Sequence, residues 1–284
     1  KVNHLDVILT NEEYDFSIPA SMKEIGVKTI GYIDFVKDDW GNQLRAFYDQ
    51  LWTSTRRTTD FVSQNLGLPD LVHFTGWGIN PKTPYLGDQE PQYDYMTNAG
   101  YIGINRRKGT DLVITAFTKI IEKNPGKTLL IHAQIPIESF DSCYPQILAI
   151  PGLTWLHETV PPPGLYHLGK IVIQPSRLEG LGLTILEAKY QGRPIITTDA
   201  PPMNEHVTNQ AMLVEVSSRQ QRKDGLSFPE TSVCPNNLAK KMGLVHSNFT
   251  PLNTNEHETH KLLNSYLWDE FCIRIKNSLQ ELNL

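Results

Sequence analysis

Cysteine is scarce in this 284-residue chain, which has only Cys143, Cys234 and Cys272. The three are odd in number and far apart, with no C-x-x-C pair and no Cys/His ligand spacing. That pattern argues against a disulfide framework or a zinc site and fits a reducing compartment. Long apolar runs are missing too: none approaches the roughly 20 residues needed to span a bilayer. The opening Lys1-Val2-Asn3-His4 lacks the pattern of a signal peptide. The expected location is therefore cytoplasmic, with no integral membrane segment and peripheral membrane contact left open. Positive charge is not in excess, since 26 Lys and Arg stand against 31 Asp and Glu for a formal net charge of -5. Such a chain has no general attraction to nucleic acid. Basic residues gather only locally, as in Arg106-Arg107-Lys108 and Arg222-Lys223. There is no internal repeat, and no G-x-G-x-x-G follows the first strands, which argues against a dinucleotide-dependent enzyme. No D-x-D pair stands at the end of a strand, so no metal and no separate cofactor are expected.

What is present is an alternation of short β-rich runs and longer helical patterns, the mark of an α/β fold with largely parallel sheets. Residues 6–10, 28–33 and 71–75 read as strands. Residues 20–24 and 43–51 read as helices, and 53–65 as a short strand with a further helix. A Gly- and Pro-marked loop covers 76–91. Beyond it the pattern predicts strands at 101–104, 128–133, 153–156, 171–174 and 194–197. Helices are predicted at 110–124, at 184–191, and after Pro161-Pro162-Pro163 as far as Leu168. Leu112, Ala116, Ile120 and Ile121 line one face of the 110–124 helix, and Pro125-Gly126 stops it. Residues 217–229 read as a polar loop, with helices at 236–247 and 261–282. Asp34, Asp38 and Asp39 follow a predicted strand and read as a solvated acidic loop.

The most informative stretch is Gln174-Pro175-Ser176-Arg177-Leu178-Glu179-Gly180-Leu181-Gly182-Leu183-Thr184-Ile185-Leu186-Glu187-Ala188. A strand ends, a two-glycine loop follows and a helix begins. In open α/β sheets ligands gather beyond the carboxyl ends of strands. A helix N-terminus there offers unpaired N–H groups and a positive dipole end, both suited to phosphate. Gly180 and Gly182 let backbone approach such an anion closely. Glu179 lies in the loop and Glu187 about one turn inside the helix, so the two can grip different parts of one extended ligand. An isolated pair at this spacing would mean only a surface Glu and a helix-stabilising one.

The context is richer than that. Pro175 to Ala188, followed by Gly192-Arg193-Pro194-Ile195-Ile196 and Glu205, resembles the P-S-x-x-E-G-F-G-L-x-x-L-E-A-x-x-x-G-x-P-V-I signature of retaining nucleotide-sugar glycosyltransferases, the group 1 or family 4-like enzymes of GT-B architecture. Leu181 stands where the signature has Phe. Arg107-Lys108-Gly109-Thr110-Asp111-Leu112 is similar to that family's R-K-G segment at the start of the donor domain. The family usually has an Arg five residues before the Lys, and this chain has Gly103 there. Trp155 to Val160 matches the stretch that lines the nucleobase pocket in similar enzymes, with His157 as a rim or structural histidine. Pro201 to Glu205 matches a loop beside the donor sugar, where Glu205 either contacts ligand or caps local backbone.

The resemblance implies two Rossmann-like domains with parallel sheets facing across a cleft, the N-terminal one incomplete in this chain. The expected division is 1–78 for a partial acceptor-side domain, 79–264 for the donor domain and 265–284 for a closing helix packed toward the N-terminal part. The resemblance also implies metal-independent transfer of a sugar from a UDP- or GDP-sugar to a hydroxyl on an unidentified glycan, lipid or protein, with retention at the anomeric carbon. Alternatives are a nucleotide-sugar-binding protein without transferase activity and a nucleotide-sugar epimerase. Glu179 would orient the donor sugar and Lys108 would face the departing diphosphate. Arg107, Lys108, Gly180, Gly182, Leu183, Thr184, Glu187 and Glu205 would hold the donor.

Overall fold

Four parallel strands open the chain. The computed structural model describes residues 5–101, 106–140, 144–207, 209–248 and 254–282, with the backbone alone for 254–266. The strands β1 (Val7–Asn11), β2 (Lys28–Tyr32), β3 (Gln50–Thr53) and β4 (Val72–Phe74) pair in that order. Between them run α1 (Ser17–Glu24), α2 (Gly41–Phe47) and α3 (Arg56–Asp60), the last continued by a π-helical turn over Phe61–Asn65. Parallel neighbours cannot be joined by tight turns, so each pair needs such a crossover.

The second sheet holds β5 (Tyr93–Gly100), β6 (Leu129–Ala133), β7 (Leu153–His157), β8 (Gly169–Gln174), β9 (Ile195–Thr198) and β10 (Leu213–Val214), all parallel, in the order β10-β9-β8-β5-β6-β7. Helices α4 (Thr110–Ile121), α5 (Tyr144–Leu148) and α6 (Leu183–Tyr190) connect its strands. Then come an antiparallel pair, β11 (Val216–Gln220) and β12 (Glu230–Val233), and the helices α7 (Pro235–Ser247) and α8 (Thr254–Glu281). Val113, Ala116 and Phe117 of α4, Ile131 of β6, Ile171 and Ile173 of β8 and Leu238 and Met242 of α7 share one fully covered core. At about 1.5–3 kcal/mol per buried aliphatic or aromatic side chain, this layer is a main source of the unit's stability. Among the described residues no helix is long and apolar enough to cross a membrane.

The chain divides into two compact units. One comprises Lys1–Gly78, Gln221–Pro229 and Tyr266–Leu284, and the other Ile79–Gln220 and Glu230–Ser265. In the first, the end of α8 covers the sheet. Ile275, Leu279 and Leu282 pack on Ile30, Tyr32 and Trp52. The Trp52 indole donates to Ser278 Oγ at 2.7 Å, and the Gln50 amide donates to the Ser278 carbonyl at 2.9 Å.

Several sequence expectations shift. The strand predicted at 101–104 lies earlier, at Tyr93–Gly100, while residues 102–105 fall outside the described ones. Polar residues hid it: Asp94 sits at its start and receives the Thr128 N–H at 2.9 Å. The helix expected to run to Leu51 stops at Phe47, because Gln50–Thr53 is a fully buried strand. After the prolines only a 3-10 turn, Tyr166–Leu168, forms. The polar stretch expected as a loop contains β11, and its residues 221–229 belong to the first unit. Asp34 is buried rather than solvated, accepting from the Ser54 hydroxyl, and burial raises its pKa despite that bond.

Candidate active site

In the second sheet β5 leads outward to β6 and β7, whereas β8 leads the other way to β9 and β10. The order therefore reverses between β5 and β8, and at such a switch point the loops beyond the carboxyl ends diverge and leave a crevice. Residues 106–109 follow β5 and precede α4, and residues 175–182 follow β8 and precede α6. The sequence-predicted residues 107–108 and 179–182 thus lie on the two loops at this switch point.

Both loops end in a glycine that caps a helix in the left-handed region, Gly109 at φ 72° and Gly182 at φ 89°. Gly109 has a second reason to be glycine, since a Cβ there would lie 2.2 Å from the Pro175 carbonyl oxygen. The two loops are bonded to each other as well as packed. The Arg177 N–H donates to the Arg107 carbonyl at 2.7 Å, and the Arg177 guanidinium grips Asp111 with bonds of 2.7 and 2.8 Å while also donating to the Arg106 carbonyl. Such a bidentate fork fixes orientation as well as distance.

Within this frame Lys108 and Glu179 meet. The Lys108 ammonium donates to Glu179 Oε1 at 2.7 Å, and the Ser176 hydroxyl donates to the same oxygen at 2.7 Å. Both charged residues are buried, at 8% and 3% exposure, so each needs the other. Burial pushes the Glu179 pKa up, but the charges of Lys108 and Arg107 and the two hydrogen bonds outweigh it and hold the carboxyl below its ordinary value. Glu179 is therefore ionised at neutral pH.

Glu187 lies one turn into α6 and is poised differently. Tyr166 donates its hydroxyl to Glu187 Oε2 at 2.7 Å, and the Asn98 amide donates to Tyr166 at 2.8 Å. Burial raises the Glu187 pKa, opposed by the Tyr166 bond and the Lys108 charge. The charge of Lys108 thus favours the ionised form of both glutamates.

The remaining predicted residues take their places nearby. Gly180 is buried in the β8–α6 loop, and Leu183 opens α6 with its side chain exposed. Among the described residues the Thr184 hydroxyl and Arg107 Nε are buried with no hydrogen-bond partner, and so is the hydroxyl of Thr110 at the start of α4. Glu205 closes a 3-10 turn, Met203–Glu205. His157 is exposed at the end of β7, and Gly103 lies outside the described residues. A groove of about 710 Å³ lined by Lys119, Lys123, Lys240 and His246 includes none of these residues.

Sequence reasoning did not single out Asn98, Tyr166 or His206, and it quoted Thr110 only as part of the R-K-G segment. Ser176 stood inside the quoted motif and could have been read from it. Tyr166 lies 21 residues before Glu187, and the return of α6 along β8 brings the two together.

The family model for the glycosyl transferases group 1 matches residues 96–243, more than half of the chain. This chain belongs to that family. The matched region holds Lys108, Glu179, Glu187 and Glu205, and it runs from within β5 through β12 to most of α7. The lipopolysaccharide core biosynthesis mannosyltransferase LpsB of Rhizobium meliloti is 31% identical over 111 residues, which are 37% of this chain and 32% of LpsB. The match thus spans about a third of that curated relative. Among solved structures, Anabaena HepE in complex with UDP superposes with a TM-score of 0.73 at 13% identity, covering 98% of this chain and 79% of HepE. A glycosyltransferase from Rickettsia africae gives 0.72 at 14% identity, covering 97% and 75%. At that identity the likeness establishes the α/β GT-B architecture of this group 1 glycosyl transferase.

Proposed function

We propose that this group 1 glycosyl transferase moves a sugar from a nucleoside-diphosphate sugar, a UDP- or GDP-sugar, to a hydroxyl on a glycan, lipid or protein acceptor, with retention at the anomeric carbon. The observation that carries the reading is the buried Lys108–Glu179 pair at the switch point, set beside two helix N-termini. A diphosphate placed there meets Lys108, Arg107, the Thr184 hydroxyl and the backbone amides of Gly182, Leu183 and Thr184. As the bond from the sugar to the β-phosphate breaks, negative charge grows on the leaving oxygen, and donors already fixed in place stabilise it without reorganising. The protein supplies this positive charge, so the reading assigns no divalent cation to the step.

In the same reading the ionised Glu179 accepts hydrogen bonds from sugar hydroxyls and orients the donor. Glu187, steadied by Tyr166, takes the ribose hydroxyls. Gly180 lets backbone approach the sugar, and Glu205 flanks it. Residues 79–264 apart from 221–229 form the donor-binding domain, 1–78 the acceptor side and 265–284 the closing helix, in a cytoplasmic enzyme. Support comes from the mannosyltransferase relative and the UDP complex of HepE, together with the family membership.

Calorimetric titration with UDP, GDP and ADP identifies the base. Glu187→Ala is expected to weaken binding of the preferred diphosphate by roughly 1–3 kcal/mol, the scale of lost hydrogen bonds to a charged group. Unchanged affinity in a folded variant would remove Glu187 from the site. Release of nucleoside diphosphate from the sugar donor only when an acceptor is present separates transfer from epimerisation.

A further inference from the structure

Behind the glycine loop stands a residue that the reading above does not use. His206 directly follows the 3-10 turn Met203–Glu205, and its Nε2 lies 2.6 Å from the Leu181 carbonyl oxygen. A carbonyl only accepts, so Nε2 carries the proton. The imidazole also packs against Gly182, where a Cβ would come within 3.2 Å of its Cδ2. In turn the His206 carbonyl accepts from the Lys189 ammonium at 2.6 Å, in the last turn of α6. One residue therefore ties three features together: the loop leading into α6, the end of α6, and the turn bearing Glu205. The charged groups acting on His206 are Glu205, Lys189 and Glu179, and burial holds the imidazole pKa below its ordinary value.

We propose that His206 is a positioning residue for the donor diphosphate: by holding the Leu181 carbonyl and buttressing Gly182, it sets the direction of the amides at the start of α6. Leu181 and Gly182 are the last residues before the helix, so fixing the Leu181 carbonyl and packing on Gly182 set the peptide planes that lead into the first turn. Amides aimed at a diphosphate lose effect steeply when they turn away, because the bond weakens with angle as well as distance. Lys189 makes the arrangement stiff from behind. This inference rests on the donor reading for its consequence, but the clamp itself can be tested without any ligand.

The decisive comparison is between His206→Ala and His206→Gln, since the Gln amide can present an N–H near the position of Nε2 without titrating. Hydrogen exchange is followed in peptides covering 176–190, alongside calorimetric binding of UDP, GDP, uridine and guanosine. His206→Ala is expected to speed exchange at the start of α6 by roughly tenfold or more. It should also weaken the diphosphate that the unaltered protein prefers about tenfold, leave the corresponding nucleoside unchanged, and be largely reversed in His206→Gln. Exchange in His206→Ala equal to that of the unaltered protein would overturn the proposal, as would equal losses for diphosphate and nucleoside, or no recovery with Gln. If the unaltered protein binds neither diphosphate, the donor reading fails, and the exchange result still decides the clamp.

Discussion

Two carboxylates of the same site carry opposite electrostatic burdens, and each predicts its own behaviour. Against its burial, Glu179 is stabilised as an anion first by Lys108 beside it, with Arg107 and Ser176 adding to the effect. Lys108→Met removes that cation and leaves a buried carboxylate, and losing one partner of a buried pair costs about 3–5 kcal/mol. Lys108→Met combined with Glu179→Gln should recover a large part of that loss in urea denaturation at pH 7. A double variant no more stable than Lys108→Met alone would show that the pair is not coupled. For Glu187 the sign reverses. Its folded pKa is raised above the ordinary 4.5, so the stability it contributes is full below that value and is lost as pH rises through the folded pKa. Above that pKa its charge is a net cost to the fold. Glu187→Gln is expected to melt higher than the unaltered protein at pH 7, with the gap closing below about pH 4. The same variant should bind nucleoside diphosphate less tightly. Thermal melts across pH check the first expectation and titration the second.

At the scale of elements, the two site loops make different demands on their glycines. Gly182→Ala meets a left-handed φ and a ring edge at 3.2 Å, a cost of about 1–2 kcal/mol for the backbone strain. Gly109→Ala meets the same kind of strain and also a backbone oxygen at 2.2 Å that cannot yield without moving the Pro175 loop. It should therefore be the more damaging of the two, in stability and in donor affinity alike. Equal melting temperatures for the pair would contradict the close approach of the loops. The β8–loop–α6 segment was legible in the sequence because strand, glycines and helix follow one another within 22 residues. The strand at Tyr93–Gly100 was not, because Asp94 and Asn98 interrupt its apolar run, and their partners, Thr128 and Tyr166, are remote in sequence. β11 was missed for a related reason. Four of its five residues are exposed, so neither burial nor alternation marks it.

For the whole molecule, motif reading located Lys108 and Glu179 but could not bring them together as a buried pair. That juxtaposition depends on strand order, which no local window contains. Nor could composition reveal that the first unit draws on three separate stretches of chain. This discontinuity has a measurable effect. Truncation before Tyr266 strips Ile275, Leu279 and Ser278 from the sheet carrying Ile30, Tyr32 and Trp52. The expected outcome is a first unit that proteases degrade rapidly, with red-shifted Trp52 fluorescence. The second unit, whose core cluster is drawn from residues 95–245, keeps its fold and its affinity for nucleoside diphosphate.

The bond from Gln50 to Ser278, which closes that sheet, joins residues 228 positions apart. On a ribosome the strand is made long before its cover: at about 5–20 residues per second the wait is roughly ten to fifty seconds. Throughout that interval Ile30, Tyr32 and Trp52 lack the cover that Ile275 and Leu279 provide, while the candidate-site residues are all synthesised before α8 begins. The unit whose synthesis starts first is thus the last to be completed. A nascent chain stalled before Ser278 should bind holding chaperones through residues 28–53, and release them once α8 has emerged.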